Sequence, residues 1–498
     1  MASISNSTLS SPGIGSGLDV NSIVTQLTAI EHQPIDLLAQ KQSVIQTKLS
    51  SFGLLSSYMS NVRDIAAQLA KPATWTKNTA TSSDSSVQVS AKSTAATGTY
   101  SVSVTQLAQS QSLASKAFTN STAPVGTGTL HIAFGSWNTG ATVFTADGTR
   151  SGIDIAIGAG DNTLTGIKNK INATNTGVTA SIVNDANGAR LVVTSKATGA
   201  ANAVRITATD DDGANNDELG LSALAFDPPN FAPSDPLNPG VQMAQTQAAA
   251  DATATINGLA VRSANNTIAG AIDGVTLTLS AKTTSPVTVG VSLDTGSLAS
   301  AVTSFAKAFS DISAYISSQT KYDTSTKTAS PLQGDSATLS VQRALRNVFV
   351  STSGESSTYK YLSDVGIEFQ DDGTVDVDGA KLNAALAANP QEVAKLFSGT
   401  TSGNAAQQGF AVRVSSVAKQ MLDTTGSITT HSKSLQADIA RNQKQQDALQ
   451  QRVDDFKARI LKQYSALDTI MAQTSASNSA LTQALTALSN QNTAIAKG

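Results

Sequence analysis

The sequence predicts an α+β multidomain chain. Paired terminal helices, forming an antiparallel coiled coil, carry a mixed helical domain and two β-rich domains, one discontinuous and one inserted. Three observations predict this. The last stretch steps in alternating fours and threes through Leu435, Ile439, Asn442, Gln446, Leu449, Val453, Phe456, Ile460, Gln463, Leu467 and Ile470, and its phase continues through Leu481, Leu488 and Ile495. Near the other end Leu38, Ile45, Phe52, Met59 and Ala66 fall seven apart, with Leu55, Val62 and Leu69 between them. Much of the chain between these stretches alternates apolar and polar residues with a period of two, the strand signature. A sustained repeat of about 3.5 residues marks a coiled-coil seam, and a seam that narrow needs a partner helix.

Taken in order, the chain opens with a Ser-rich, aperiodic segment, Met1 to Ser16, expected to be disordered in the free protein. Gly13-Ile14-Gly15-Ser16-Gly17-Leu18-Asp19 follows. It is not a phosphate loop, because no strand precedes it and no Gly-Lys-Ser/Thr follows; nor is it a G-x-S-x-G elbow, because Ile14 and Leu18 stand where Gly is required. It reads as a flexible lead-in to a short helix, Val20, Ile23, Leu27 and Ile30 on one face, N-capped by Asp19. Pro34 is expected to end that helix or start the next. Lys41 and Lys48 share the register of Leu55 and weaken the first half of the seam.

The helical pattern gives way at Lys71-Pro72. Val87 and Val89, then Tyr100, Val102 and Val104 beyond the Thr97-Gly98 turn, read as a β-hairpin. Ile153 to Ile157, Leu164-Ile167-Ile171 at helical spacing, Val178 to Val183, Leu191 to Thr194 and Val204 to Ile206 read as β-α-β-β with an extra strand. The Pro-rich segment Pro228 to Pro239 is a loop or linker. Asn257-Gly258 makes a type I′ turn between Ala254–Ile256 and Leu259–Val261. The strands around Val275–Leu279 and Val287–Leu293 find their mates near Val87 to Val104, which makes this β domain discontinuous. Helices follow at Val302 to Ile316, Leu339 to Val350, Lys381 to Ala388 and Val412 to Leu422, with the strand Thr374 to Val377 set between Asp-Gly pairs. The terminal rod comes last; unbroken, it would reach about 90 Å at roughly 1.5 Å per residue, and Thr474 to Ser479 is the expected place for any break. The domains fall at 1–72 with 430–498, 73–118 with 246–295, 119–245, and 296–429. Seam polars Asn442, Gln446 and Gln463 set register while loosening the pair.

Composition excludes several classes of function. The 498 residues are 40% hydrophobic, with 14% charged and 4% aromatic side chains. A formal charge of −3 without a basic block argues against nucleic acid, and few aromatics leave little for base stacking or a deep pocket. Cysteine is absent, which removes disulfides and thiolate chemistry. Met1 to Leu18 lacks the pattern of a cleaved signal peptide, and no window is apolar enough for membrane insertion. No catalytic, cofactor or metal site emerges. His32, His131 and His431 lie in separate segments and read as solvated side chains. Asp210-Asp211-Asp212-Gly213 with Asp217 and Glu218 fails the EF-hand spacing at Asn215 and Leu221. Asp371, Asp372, Asp376 and Asp378 bring carboxylates to one hairpin, but Asp-Gly turns use such residues anyway.

Several ordered motifs resemble the flagellar hook-associated protein 2, or filament-capping, family. Gly13, Gly15, Gly17, Leu18 and Asp19, followed by Ile23-Val24, Leu27, Glu31 and Pro34, are similar to its amino-terminal signature. Asn257-Gly258, Asn266-Thr267-Ile268 and Gly274 to Leu279 resemble its central β motif. Leu362 to Gly366, Asp372-Gly373-Thr374, Asn389-Pro390 and Leu396-Phe397 resemble its carboxy-terminal domain, and Ile460 to Gln473 its terminal helix, although Thr474 to Ser477 departs from the run expected there. Ile153 to Ile206 is similar to a repeat inside flagellins.

The resemblance implies a ring-like homo-oligomer of roughly four to six copies at the tip of the flagellum, without catalysis. Leu38, Ile45, Phe52, Leu55, Met59, Val62, Leu69, Leu435, Ile439, Leu449, Val453, Phe456, Ile460, Leu467 and Ile470 would form the leg and meet the filament. Implied partners are flagellin, hook-associated junction proteins, a cytoplasmic export chaperone and host mucin or glycan. Export would follow the flagellar type III route. The rival expectations are a secreted adhesin and a flagellin or hook–filament junction protein.

Overall fold

The computed structural model describes residues 19–215, 217, 219–230 and 242–495. Gly13, Gly15, Gly17 and Leu18, the segment expected to be disordered, and most of the Pro-rich loop lie outside the described residues. The chain forms two compact units, residues 1–75 with 295–498, and residues 76–294. Its helices are α1 (Val20–Leu69), α2 (Leu164–Ala173), α3 (Thr295–Thr320), α4 (Ser336–Phe349), α5 (Gly379–Ala388), α6 (Pro390–Ser398), α7 (Phe410–Leu422) and α8 (Ser427–Ile495).

The 76–294 unit has two hydrophobic cores. One lies between a five-stranded antiparallel sheet, ordered Asn78–Ser82, Val287–Leu293, Gly98–Gln106, Ala252–Ile256 and Leu259–Ser263, and a three-stranded sheet of Thr267–Ile272, Val275–Leu279 and Val87–Ala91. The strands before and after the intervening region do pair, Val275–Leu279 with Val87–Ala91 and Val287–Leu293 with Gly98–Gln106. The expected hairpin between Val87 and Val104 does not form. Its two strands join different sheets, because each finds a distant mate that buries its apolar alternation on both sides of one core. Asn257 and Gly258 have φ of 48° and 83°, the left-handed pair a type I′ turn requires.

The second core gathers α2, through Leu164, Ile167 and Ile171, with two four-stranded sheets. One is built around Gly128–Trp137 and the other around the hairpin Val178–Asp185 with Gly188–Ser195. The β-α-β-β order stands, but it gains a further strand, Gly128–Trp137, which pairs with Ala203–Asp210 and Ile153–Ile157 and which the sequence does not announce. Val178–Asp185 ends its sheet. Asn172 closes part of that edge, its amide accepting from Ala180 N and donating to Ala180 O, both at 2.8 Å.

The other unit is helical. α1, α3, α4, α6 and α7 converge on an aromatic centre in which Phe349 stacks on Phe305 and approaches Phe309 to 3.8 Å, while Phe397 meets Phe305 edge-on. Trp75 lies over Phe397 at 5.4 Å and donates its indole N–H to the Leu69 carbonyl, tying off the end of α1. Asp19 caps α1 through Ser22 N at 2.9 Å, as expected. Asp335 and Asp378 cap α4 and α5 in the same way. Two expected interruptions are absent. α1 passes through Pro34, which is exposed, so water can take the Ile30 carbonyl left without its N–H. α8 runs unbroken through Thr474 to Ser479, where the Thr474 hydroxyl turns back onto the Ile470 carbonyl at 2.9 Å.

Candidate assembly interface: the terminal helices

α1 and α8 lie side by side and antiparallel, which three contacts establish. The Phe52 ring meets the His431 ring at 4.4 Å, Gln42 bonds Gln443 and Gln446, and His32 Nε2 reaches Gln450 Oε1 at 3.2 Å. As residue numbers fall along α1 they rise along α8.

The base of the pair is densely packed. Phe52, Leu55, Met59, Val62 and Leu69 are buried, because α3 and α7 cover α1 here as well as α8. Tyr315 of α3 donates its hydroxyl to the Ser51 carbonyl at 2.8 Å, and burial raises its phenol pKa. His431 is not a solvated side chain. Besides stacking on Phe52, its Nε2 lies 3.0 Å from Asp335 Oδ2, in ion-pair range but without hydrogen-bond alignment. Asp335 Oδ1 meanwhile caps α4, so one carboxylate serves the helix start and faces the imidazole.

Outward from the base α1 and α8 face each other alone among the described residues, and most of the seam becomes half-buried, although Val20 and Val24 near the start of α1 are buried again. Leu435 and Val453 are buried, whereas Ile439, Leu449, Phe456 and Ile460 on α8 and Leu38 and Ile45 on α1 are half-buried. The middle carries an amide layer. Asn442, 4% exposed, accepts from Gln446 Nε2 at 2.6 Å while its own Nδ2 has no acceptor. On α1 the opposing side chain is Gln42, while Lys41 is exposed, and Ile35 is buried. A straight helix drifts by about 20° per heptad, which moves the contact line off the strict seven-residue count. His32, Ile35 and Gln42 therefore belong to the seam although the heptad count passes over them.

The outer seam assignments on α8 need correction. Leu467 is 43% and Ile470 59% exposed, and Leu481 and Leu488 are equally uncovered. Extending the ladder of contacts one for one brings Val20 level with roughly residue 463 of α8, so the rest of the helix has no facing segment among the described residues. Gln463 is likewise exposed. Among the described residues no cluster of His, Asp or Glu could hold a metal ion, and no helix is long and apolar enough to cross a membrane.

The class of protein this defines is a multidomain scaffold whose long terminal helices pack antiparallel against a helical body, with α8 beyond Gln463 uncovered among the described residues. The comparisons place it. The profile for the flagellar hook-associated protein 2 N-terminus matches residues 16–111, that for its C-terminus residues 249–476, and the flagellin hook IN motif residues 140–197. Flagellar hook-associated protein 2 of Escherichia coli K12 is 30% identical over 484 residues, covering 95% of this chain and 97% of the relative. The A-type protein of Pseudomonas aeruginosa is 30% identical over 488 residues, covering 96% and 97%. The crystal structure of the D1-D2-D3 domains of the Escherichia coli flagellar cap protein FliD is similar with a TM-score of 0.58 and 29% identity, over 78% of this chain and 99% of that one. The chain belongs to the flagellar hook-associated protein 2 family.

Proposed function

We propose that this chain caps the distal end of the growing bacterial flagellar filament as a ring-like oligomer and promotes folding and insertion of exported flagellin, without catalysis. The observation that carries the reading is the antiparallel α1–α8 pair with its bare apolar end. α1 and α8 act as an antiparallel coiled-coil leg, with Leu38, Ile45, Phe52, Leu55, Met59, Val62 and Leu69 facing Leu435, Ile439, Leu449, Val453, Phe456 and Ile460. Leu467 and Ile470 serve the filament contact instead of the intrachain seam. The domain division of 1–72 with 430–498, 296–429, 73–118 with 246–295, and 119–245 belongs to the same reading, with the β-rich parts as the plate.

Self-association, flagellin and the junction proteins follow as partners, together with an export chaperone and, at the exposed plate, host mucin or glycan. The type III flagellar route delivers the chain to the filament tip. A half-buried seam supports such a cycle, since a pair that opens readily can release and re-engage as subunits enter beneath it. The test is complementation of a cell lacking its own cap. Long filaments with little flagellin in the medium are expected; monomeric flagellin lost to the medium, despite export of this chain, would refute the reading.

A further inference from the structure

A cavity of about 390 Å³ lies between the end of α4, the turn Ala405–Gln407 and α7, lined by Asn347, Val348, Ser351, Ala406, Arg413 and Val417. Its walls are mainly apolar apart from one cation. Arg413 is 8% exposed, and its guanidinium sits 4.5 Å from the Phe410 ring. Nη1 donates to Ser351 Oγ at 2.7 Å and to the Ala406 carbonyl at 2.6 Å, both neutral acceptors. Nε and Nη2 are shut off from solvent and have no acceptor. Those two N–H groups form the fork that grips a carboxylate with two parallel bonds. A buried cation without a counter-charge is costly, and burial pushes the Arg413 pKa below its ordinary value.

The same unit carries the opposite imbalance. The hairpin of Ile367–Phe369 with Val375–Val377 sets Glu368 directly across from Asp376, and both are exposed. Like charges facing each other across a strand pair are destabilising. Asp371 at the tip is exposed too, whereas Asp372 is occupied by Thr374. Arg346 lies over the Phe369 ring of this hairpin at 5.2 Å.

We propose that the acidic face of this hairpin in one copy docks at the Arg413 cavity of the next, where a carboxylate of Glu368, Asp371 or Asp376 closes the guanidinium fork. Entry requires the short Ala405–Gln407 turn on the cavity rim to yield. The two surfaces differ, so the contact is head-to-tail, the kind that closes rings when the rotation per copy allows. A second copy is the fitting occupant because each surface lacks what the other supplies. The inference rests on the oligomeric reading above and names one of its contacts.

Sedimentation velocity on the full-length chain tests it, with Arg413→Gln on one side and Glu368→Lys with Asp371→Lys on the other. Each variant is expected to weaken association at least tenfold. The hairpin variant should keep or raise the monomer's melting temperature, since it replaces a Glu–Asp pair by a Lys–Asp pair, so its loss of association cannot be a folding defect. Combining Arg413→Glu with the hairpin lysines should restore part of the association. Unchanged association in the hairpin variant overturns the docking contact alone. A wild-type chain that stays monomeric at every concentration overturns the oligomeric reading with it.

Discussion

Replacing Asn442 by Leu should tighten the α1–α8 pair. The side chain is buried to 4% exposure, and its Nδ2 has lost water without gaining an acceptor. An orphaned buried donor costs about 1–3 kcal/mol. Removing it sacrifices one bond, from Gln446 Nε2 to Asn442 Oδ1, but Gln446 keeps Gln42 Oε1 as an acceptor, so no new orphan arises. Leu also adds apolar burial in a seam position. A net gain of about 2 kcal/mol is a reasonable sum, equivalent to roughly a thirtyfold change in an opening equilibrium. Native-state hydrogen exchange on the monomer reads this directly. Amides of α8 between Ile439 and Val453 should exchange about thirtyfold more slowly, while those beyond Leu467, which face no helix among the described residues, should not change. Exchange that stays the same or quickens around Val453 would mean that the amide layer is fully compensated and that the seam is not weak there.

Further predictions test other parts of the molecule. Phe456→Asp or Ile460→Asp should separate the outer halves of α1 and α8 by setting a charge in a half-buried apolar contact; limited proteolysis should cut both helices there, while the 76–294 unit keeps its circular dichroism and melting behaviour. Glu392 accepts from Lys395, Ser356 and Ser357, which lower its pKa from 4.5 to about 2. A depressed folded pKa gives stability that is fully present above the unfolded value and is lost as pH falls from about 4.5 towards 2. After solvent screening this is on the order of 1–3 kcal/mol, and Glu392→Gln should flatten that part of the acid-unfolding curve. Asn172→Ala should free Ala180 N and O at the end of their sheet and lower stability by about 1–3 kcal/mol. Light scattering on heating should show earlier aggregation through the opened edge.

What was legible in the sequence follows from which forces are local. The Asn257-Gly258 turn, the Asp19 cap and the apolar phases of α1 from Phe52 to Leu69 and of α8 from Leu435 to Ile460 depend on neighbours within a few residues, and these appear where expected. The pairing of early with late β strands was readable because both sets alternate with the same period. Which strand joins which sheet was not, since Val87–Ala91 and Gly98–Gln106 carry similar patterns and only the finished core separates them. Gly128–Trp137 is hard to read because its two glycines and the glycine- and threonine-rich surroundings weaken the strand signal. Pro34 does not end α1 because its site is exposed, and exposure is not written in the local sequence. His431 and Arg413 were invisible for a further reason: one is defined by α1 and α4, the other by α4 and the Ala405–Gln407 turn, and no spacing in the chain announces either contact.

The distribution of burial along α1 and α8 decides how this pair must move. From Leu69 back to Phe52, four helices share one core and the side chains are fully enclosed, so opening here means breaking the unit. From Ile45 outward each helix buries a single stripe against one partner, and the Asn442 layer interrupts even that. Packing therefore falls from the enclosed base to the half-buried stretch between Ile45 and the Asn442 layer, although Val20 and Val24 near the start of α1 are buried again, and opening of the outer pair is expected to halt near Phe52. Such a gradient separates two tasks that a uniform coiled coil would couple. Under the proposed function the base would hold its geometry while the outer helices exchange partners, and a replacement that strengthens only the outer seam, as Asn442→Leu is expected to do, should slow that exchange without altering the body.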